Sequence, residues 1–160
     1  MLVHTAICFG SNQGRAYVIS GTPLSLSASD HLGSVEFGWS QSLWLSVPSH
    51  PGANYLVLGS ISGDSGLTLA SVSMPLTLDL WTSLSYAFRN SAILTNTDGT
   101  LDGSGEATAS FNFGGITGGD PGLVGFTFRH AALIFSANGC GAGCDVLHTA
   151  TNNVKLTTTP

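Results

Sequence analysis

Charge is what this sequence has least of. Asp, Glu, Lys and Arg make up 8% of its 160 residues, against about 25% in ordinary soluble domains. Four residues are basic, Arg15, Arg89, Arg129 and Lys155, and the net charge is −5. Four scattered cations build neither a phosphate-tracking stripe nor a polybasic patch, which argues against nucleic acid and anionic membrane surfaces as partners. No run of about 20 apolar residues occurs, so no membrane-spanning helix is expected. Met1 to Ile7 has neither a basic n-region nor a full apolar h-region and does not resemble a signal peptide. With so few like charges, little electrostatic repulsion keeps copies of the chain apart.

What the sequence does have is enough apolar matter to fold. Hydrophobic residues make up 42% and mean hydropathy is +0.29, the opposite of the low-hydropathy, high-charge signature of disorder. A chain of this length fits one domain over residues 1–160, with 1–10 a candidate N-terminal extension or exchanged strand.

Short alternating runs separated by Gly, Pro, Asn and Asp dominate, the pattern of half-buried strands joined by turns. Leu24 to Ala28, Val35 to Trp39 and Ala107 to Phe113 each place apolar residues on one face. Tyr55 to Leu58 and Ala131 to Phe135 are more continuous and suit strands covered on both faces. The expected class is all-β, an antiparallel β-sandwich of Ig-like or jelly-roll-like outline. Residues 79–89 admit two readings. Asp79 caps a short helix with Trp81, Leu84 and Phe88 on one face; or the segment is another strand, because Thr82, Ser83, Ser85 and Tyr86 are mediocre helix formers. Segments 62–66, 98–105, 114–122 and 139–143 are glycine-rich connections, and the tail Thr157 to Pro160 reads as a frayed end.

Few groups point to chemistry. Gly63-Asp64-Ser65-Gly66 matches the tetrapeptide around a serine-protease nucleophile, but His31 and His50 lack the surroundings of a triad, and a loop is the better reading. Asp98, Thr100 and Asp102 alternate like a calcium loop, with Glu106 nearby. Position 109, where a bidentate Glu belongs, is Ala. Asp98, Asp102 and Glu106 are therefore a weak calcium candidate and no other metal or cofactor is expected. His4, His31, His50, His130 and His148 show no ligand spacing. Cys140 and Cys144 enclose only small residues, which allows the Cα approach a disulfide needs. Cys8 is left over, either buried and inert or available to a second chain.

Asn54 to Ser60 followed by Ser62-Gly63, Met74 to Asp79, Gly99 to Ala109 and Leu123 to Ala131 together resemble, over about two thirds of the chain, a β-module of large secreted and surface proteins of environmental bacteria. That module has no settled functional name. The resemblance implies an extracellular or cell-surface location and carries no catalytic residues. Arg129-His130 stands here where the module tends to have two histidines, and Cys140 to Cys144 where it often has a plain hairpin.

Two functions follow as expectations, and neither is enzymatic, since no acid, base and nucleophile share a sensible spacing. The first is a structural subunit that polymerises with copies of itself into a filament, tubule or surface layer, with Leu2, Val3, Ile7 and Phe9 on a strand that adds to a neighbour's sheet. The second is a carbohydrate- or surface-binding module in which Trp39, Trp44 or Trp81 stacks on a glycan. Core burial is the competing role for those tryptophans.

Overall fold

Alternation of apolar and polar residues produces strands, and glycine, proline and Asx residues end them. The computed structural model describes residues 24–69, 71–114, 121–137 and 145–160. Strands β1 (Ser25–Ala28), β2 (Leu32–Ser34), β3 (Gly38–Ser46), β4 (Asn54–Ser60), β5 (Leu67–Leu69) and β6 (Val72–Met74) precede helix α1 (Leu80–Ala87). After it come β7 (Leu94–Thr95), β8 (Asp98–Thr100), β9 (Glu106–Gly114), β10 (Thr127–Ala137), β11 (Asp145–Ala150) and β12 (Val154–Thr159).

Ten strands form one sheet in the order β7-β9-β3-β2-β12-β10-β4-β8, with β1 beside β3 and β11 beside β10; β5 and β6 form a separate hairpin. The outermost strands β7 and β8 are consecutive in the chain, separated only by Asn96 and Thr97. That link spans at most about 11 Å, so the sheet must curl until its edges meet. Val57 seals the junction by donating its backbone N–H to the Thr97 carbonyl at 2.7 Å.

The strand pairings are antiparallel with one exception: β12 runs parallel to β2, with Thr157 opposite Leu32 and Thr159 opposite Ser34. The sheet is therefore mixed, which corrects the purely antiparallel expectation. Strands so far apart in sequence are not tied by a tight turn, and nothing local dictates their relative direction.

The concave face holds the core. Leu26, Leu43, Leu45, Tyr55, Val57, Ala109, Ala132, Ile134 and Val154 pack together there. Toward α1 the packing becomes aromatic, with Trp39 stacked on Phe113 at 4.4 Å and Trp81, Phe111 and Phe128 in mutual ring contact. On the convex side of β4 and β10, Leu58, Ala131 and Leu133 are covered by Met74 and Leu76. These strands are thus buried on both faces, as their continuous apolar runs predict.

Helix α1 forms as the first of the two readings for 79–89 expects. Asp79 accepts the Thr82 backbone N–H at 2.9 Å while the Thr82 hydroxyl accepts the Asp79 N–H, a complete capping box. Its buried residues differ from the expected stripe. Thr82 and Ser85 face the sheet, Trp81 and Leu84 are half-buried, and Phe88 is 49% exposed. Two small hydroxyl residues let the helix approach β4 closely, where their hydroxyls are used in hydrogen bonds.

Three other expectations change. Val35 to Phe37 is a turn and not part of a strand: Gly38 has a φ of +79°, which an unbroken strand cannot pass through. Val35 is buried nonetheless and Phe37 is 84% exposed. Asp98 to Thr100, within a glycine-rich connection, is edge strand β8. The tail is not frayed: β12 lies between β2 and β10, and buried Thr158 donates its hydroxyl to the Phe126 carbonyl at 3.2 Å. Repeated Thr looks like low complexity, but β-branched side chains suit a strand. The candidate assembly strand of Leu2, Val3, Ile7 and Phe9, and Cys8, Cys140 and Cys144, lie outside the described residues. Among the described residues, no helix is long and apolar enough to cross a membrane.

Candidate functional site: a tryptophan on a hydroxyl-rich face

The convex face of β1, β3 and β9 is built by register. Ser25, Ser46 and Glu106 form one cross-strand row, and Ser27, Trp44 and Thr108 form the next. Beyond them come Ser42 opposite Ser110, then Ser40 opposite Asn112. Every one of these residues is polar except Trp44, which is 45% exposed. Their sequence neighbours Leu26, Leu43, Leu45, Ala109 and Phe111 point to the buried side. One large aromatic thus interrupts a surface that is otherwise hydroxyl, amide and carboxylate.

The two ends of this strip differ. At the Ser40 end the polar groups bond to one another: the Ser40 hydroxyl meets Asn112 Oδ1 at 2.6 Å, and Asn112 Nδ2 donates to Ser110 Oγ at 2.9 Å and Thr95 Oγ1 at 3.2 Å. Around Trp44 the strip opens into a groove of about 400 Å³, lined by the tryptophan, Ser25, Ser27, Ser46, Thr108, Glu106 and Asp102, with Leu45 and Ala107 also bordering it. Asp102 holds the adjoining turn, with Oδ1 accepting the Ser104 and Glu106 backbone N–H groups at 2.8 Å each. The Glu106 carboxylate lies one row from Trp44 on the neighbouring strand, a diagonal that long side chains can bridge. It has no salt-bridge partner among the described residues.

Positive charge is elsewhere. Arg89 pairs with Asp98 at 3.0 Å and lies over the Tyr86 ring, and Arg129 and Lys155 approach Asp64 at 3.8 and 3.7 Å. Among the described residues the groove is lined by carboxylates and by no cation.

The other predicted site residues fall apart spatially. Trp39 and Trp81 belong to the interior ring cluster, with their Nε1 atoms buried and unpartnered, and do not form a platform with Trp44. Asp98 is committed to Arg89 and Asp102 to a turn, and the described residues contain no group of three His, Cys, Asp or Glu placed to hold a metal. Ser65 shares its hydroxyl with Thr77 at 2.8 Å, with no histidine in that contact. His50 and His148 pack ring on ring at 4.6 Å, and each bonds a serine hydroxyl, of Ser49 and Ser136.

His130 is the unexpected group. It is fully buried between Phe111, at 5.0 Å, and Trp81, at 6.5 Å, and neither ring nitrogen has a hydrogen-bond partner. Burial alone pushes its pKa down to about 4. Asp79 has the opposite surroundings. Burial raises its pKa, but hydrogen bonds from the backbone N–H groups of Thr82, Ser62 and Ile61 and from the Ser60 hydroxyl outweigh that and hold it well below the ordinary carboxylate range.

The serines and threonine around Trp44 escaped sequence reasoning, although a signal was present. In Ser42-Leu43-Trp44-Leu45-Ser46 the tryptophan is out of phase with the two leucines, which places it on the serine face. No protein-family model matches the chain, and no curated protein matches it.

Proposed function

We propose that this protein is an extracellular, non-catalytic carbohydrate-binding module whose ligand stacks on Trp44. The observation that carries this is the isolation of a half-exposed tryptophan on a face otherwise made of hydroxyl, amide and carboxylate groups. A buried position would have held that ring more cheaply. Pyranose rings present an apolar C–H face and an equatorial rim of hydroxyls, and a tryptophan ringed by Ser25, Ser27, Ser46 and Thr108 complements both. The strip from Ser46 to Ser40 is about 20 Å long at strand rise, room for several sugar rings in line. In this reading the two halves of the curled sheet, β9-β3-β1 and β4-β10-β11, act as the layers of a β-sandwich. The extracellular location rests on the resemblance to bacterial surface modules.

The test is a fluorescence titration and a pull-down against a panel of soluble and insoluble polysaccharides, with Trp44→Ala beside the unaltered protein. Binding that Trp44→Ala abolishes supports the reading; no response to any glycan removes it.

A second reading is self-association into a polymer or surface layer. It is favoured by large apolar side chains left in solvent, Phe37 at 84%, Leu80 at 70%, Leu32 at 65% and Leu78 at 62%. Sedimentation velocity over a wide concentration range and negative-stain microscopy test it. A strictly monomeric protein throughout that range counts against it.

A further inference from the structure

We infer that the groove at Trp44 selects a cationic glycan, a polymer containing free amino sugars such as glucosamine, over neutral or anionic sugars. The inference rests on the carbohydrate-binding reading and adds the charge of the ligand to it.

The argument begins with what lines the groove. Glu106 and Asp102 line the groove together with Trp44, and no Lys or Arg among the described residues does. The three described cations are held in other contacts, with Asp98 and Asp64. A uronate or sulfated sugar brought to this groove meets two carboxylates and a molecule of net charge −5, which disfavours it. A neutral sugar finds stacking and can donate its hydroxyls to the Glu106 carboxylate, but it brings no positive charge to pair with it.

An ammonium group uses both features. Over the ring it is drawn to the negative face of the indole, and beside the ring it pairs with Glu106 on the diagonal position of β9. The backbone positions of Trp44 and Glu106 are fixed by the continuous register of β3 and β9 from Gly38↔Gly114 to Ser46↔Glu106. The groove is open and the charges are exposed, so each contact is worth little alone and the selectivity is modest. An exposed ion pair and an exposed cation–π contact together give about tenfold.

The experiment titrates three oligosaccharide series of matched length into the protein at low salt and pH 6: glucosamine oligomers, their N-acetylated counterparts and glucose oligomers. The expected result is about tenfold tighter binding of the glucosamine series, a preference that shrinks as salt rises. Glu106→Gln should remove the ion-pair share and narrow the preference to about threefold, leaving the cation–π share, and Trp44→Ala should abolish binding of all three. Similar affinities for the three series in the unaltered protein, or a preference that Glu106→Gln leaves intact, overturn the inference while the carbohydrate-binding reading stands. Failure of all three series to bind overturns the inference, while the carbohydrate-binding reading falls only if the wider polysaccharide panel is silent as well. Both residues are exposed, and circular dichroism of each variant separates lost binding from lost fold.

Discussion

The backbone N–H of Gly59 donates to the Ser85 hydroxyl at 2.9 Å, and that hydroxyl in turn donates to the Thr82 carbonyl at 2.9 Å. The contact joins β4 to helix α1 through a position where no side chain fits. A Cβ at Gly59 would lie 2.6 Å from Trp81 Cδ1 and 3.1 Å from His130 Cδ2. Gly59→Ala must therefore displace the Trp81 ring or the helix that carries it, and is expected to destabilise by about 1–3 kcal/mol. Ser85→Ala leaves the Gly59 N–H buried without a partner, with a loss in the same range. Urea unfolding of both variants measures this.

Asp79 anchors the other end of the same helix, capping α1 while its second oxygen accepts the Ile61 and Ser62 N–H groups at 2.7 Å each and the Ser60 hydroxyl at 2.9 Å. Because its folded pKa lies below the unfolded value of 3.8, its contribution is full above that pH and declines as pH falls below it. Asp79→Ala should lower stability at pH 7 by about 2 kcal/mol or more, since it removes a cap and several charge-assisted bonds. The difference between variant and parent should shrink below pH 4, as followed by thermal melts across a pH series.

His130 acts in a higher pH window. Its folded pKa of about 4 lies below the unfolded value of 6.5, so above 6.5 both states are neutral. As pH falls from 6.5 to 4, the unfolded state takes up a proton that the folded state refuses, and stability is lost by about 3 kcal/mol at most. The groups facing it, Trp81 on α1, Gly59 on β4 and Phe111 on β9, carry no charge to offset this. His130→Leu should keep full stability at pH 7 and flatten the profile between pH 6.5 and 4. A variant that loses stability in parallel with the parent would count against this account.

The two tryptophans of β3 should separate folding from binding. Trp39 lies within 4.4 Å of Phe113 and 5.6 Å of Phe111 in the interior, and Trp39→Ala should cost about 3–5 kcal/mol. Trp44→Ala, on the convex face, should change stability by about 1 kcal/mol or less. Thermal denaturation of the pair, read beside their glycan titrations, checks both halves of the expectation.

Truncation tests the position of β12. Removing Pro160 alone should be tolerated. A chain ending at Asn153 loses the strand that bridges β2 and β10 together with buried Val154, Leu156 and Thr158, and should fail to fold cooperatively. Far-ultraviolet circular dichroism with a thermal melt distinguishes the two.

Local physics was legible in the residues. Period-2 alternation marked β1 and β9, continuous apolar runs marked β4 and β10, and Asp79 offered a cap for a helix that the mediocre helix formers after it left open against a strand. Each of these is set by neighbours a few positions apart, so the sequence by itself determined the β-rich class and which face of β1, β3 and β9 is apolar, while the packing of α1 on β4 decided between helix and strand. Sheet order depends on pairings such as β3 with β9 and β4 with β10, about 60 to 80 positions apart, and the parallel pair of β2 with the threonine tail joins residues as distant as Leu32 and Thr157, for which no nearby residue carries a signal. The three tryptophans divide between the two. Alternation with Leu43 and Leu45 already set Trp44 on the serine face, between Ser27 and Thr108, whereas only the tertiary structure brought the half-buried Trp39 and Trp81 together against Phe111 and Phe128, because those ring contacts join strands and a helix distant in the chain.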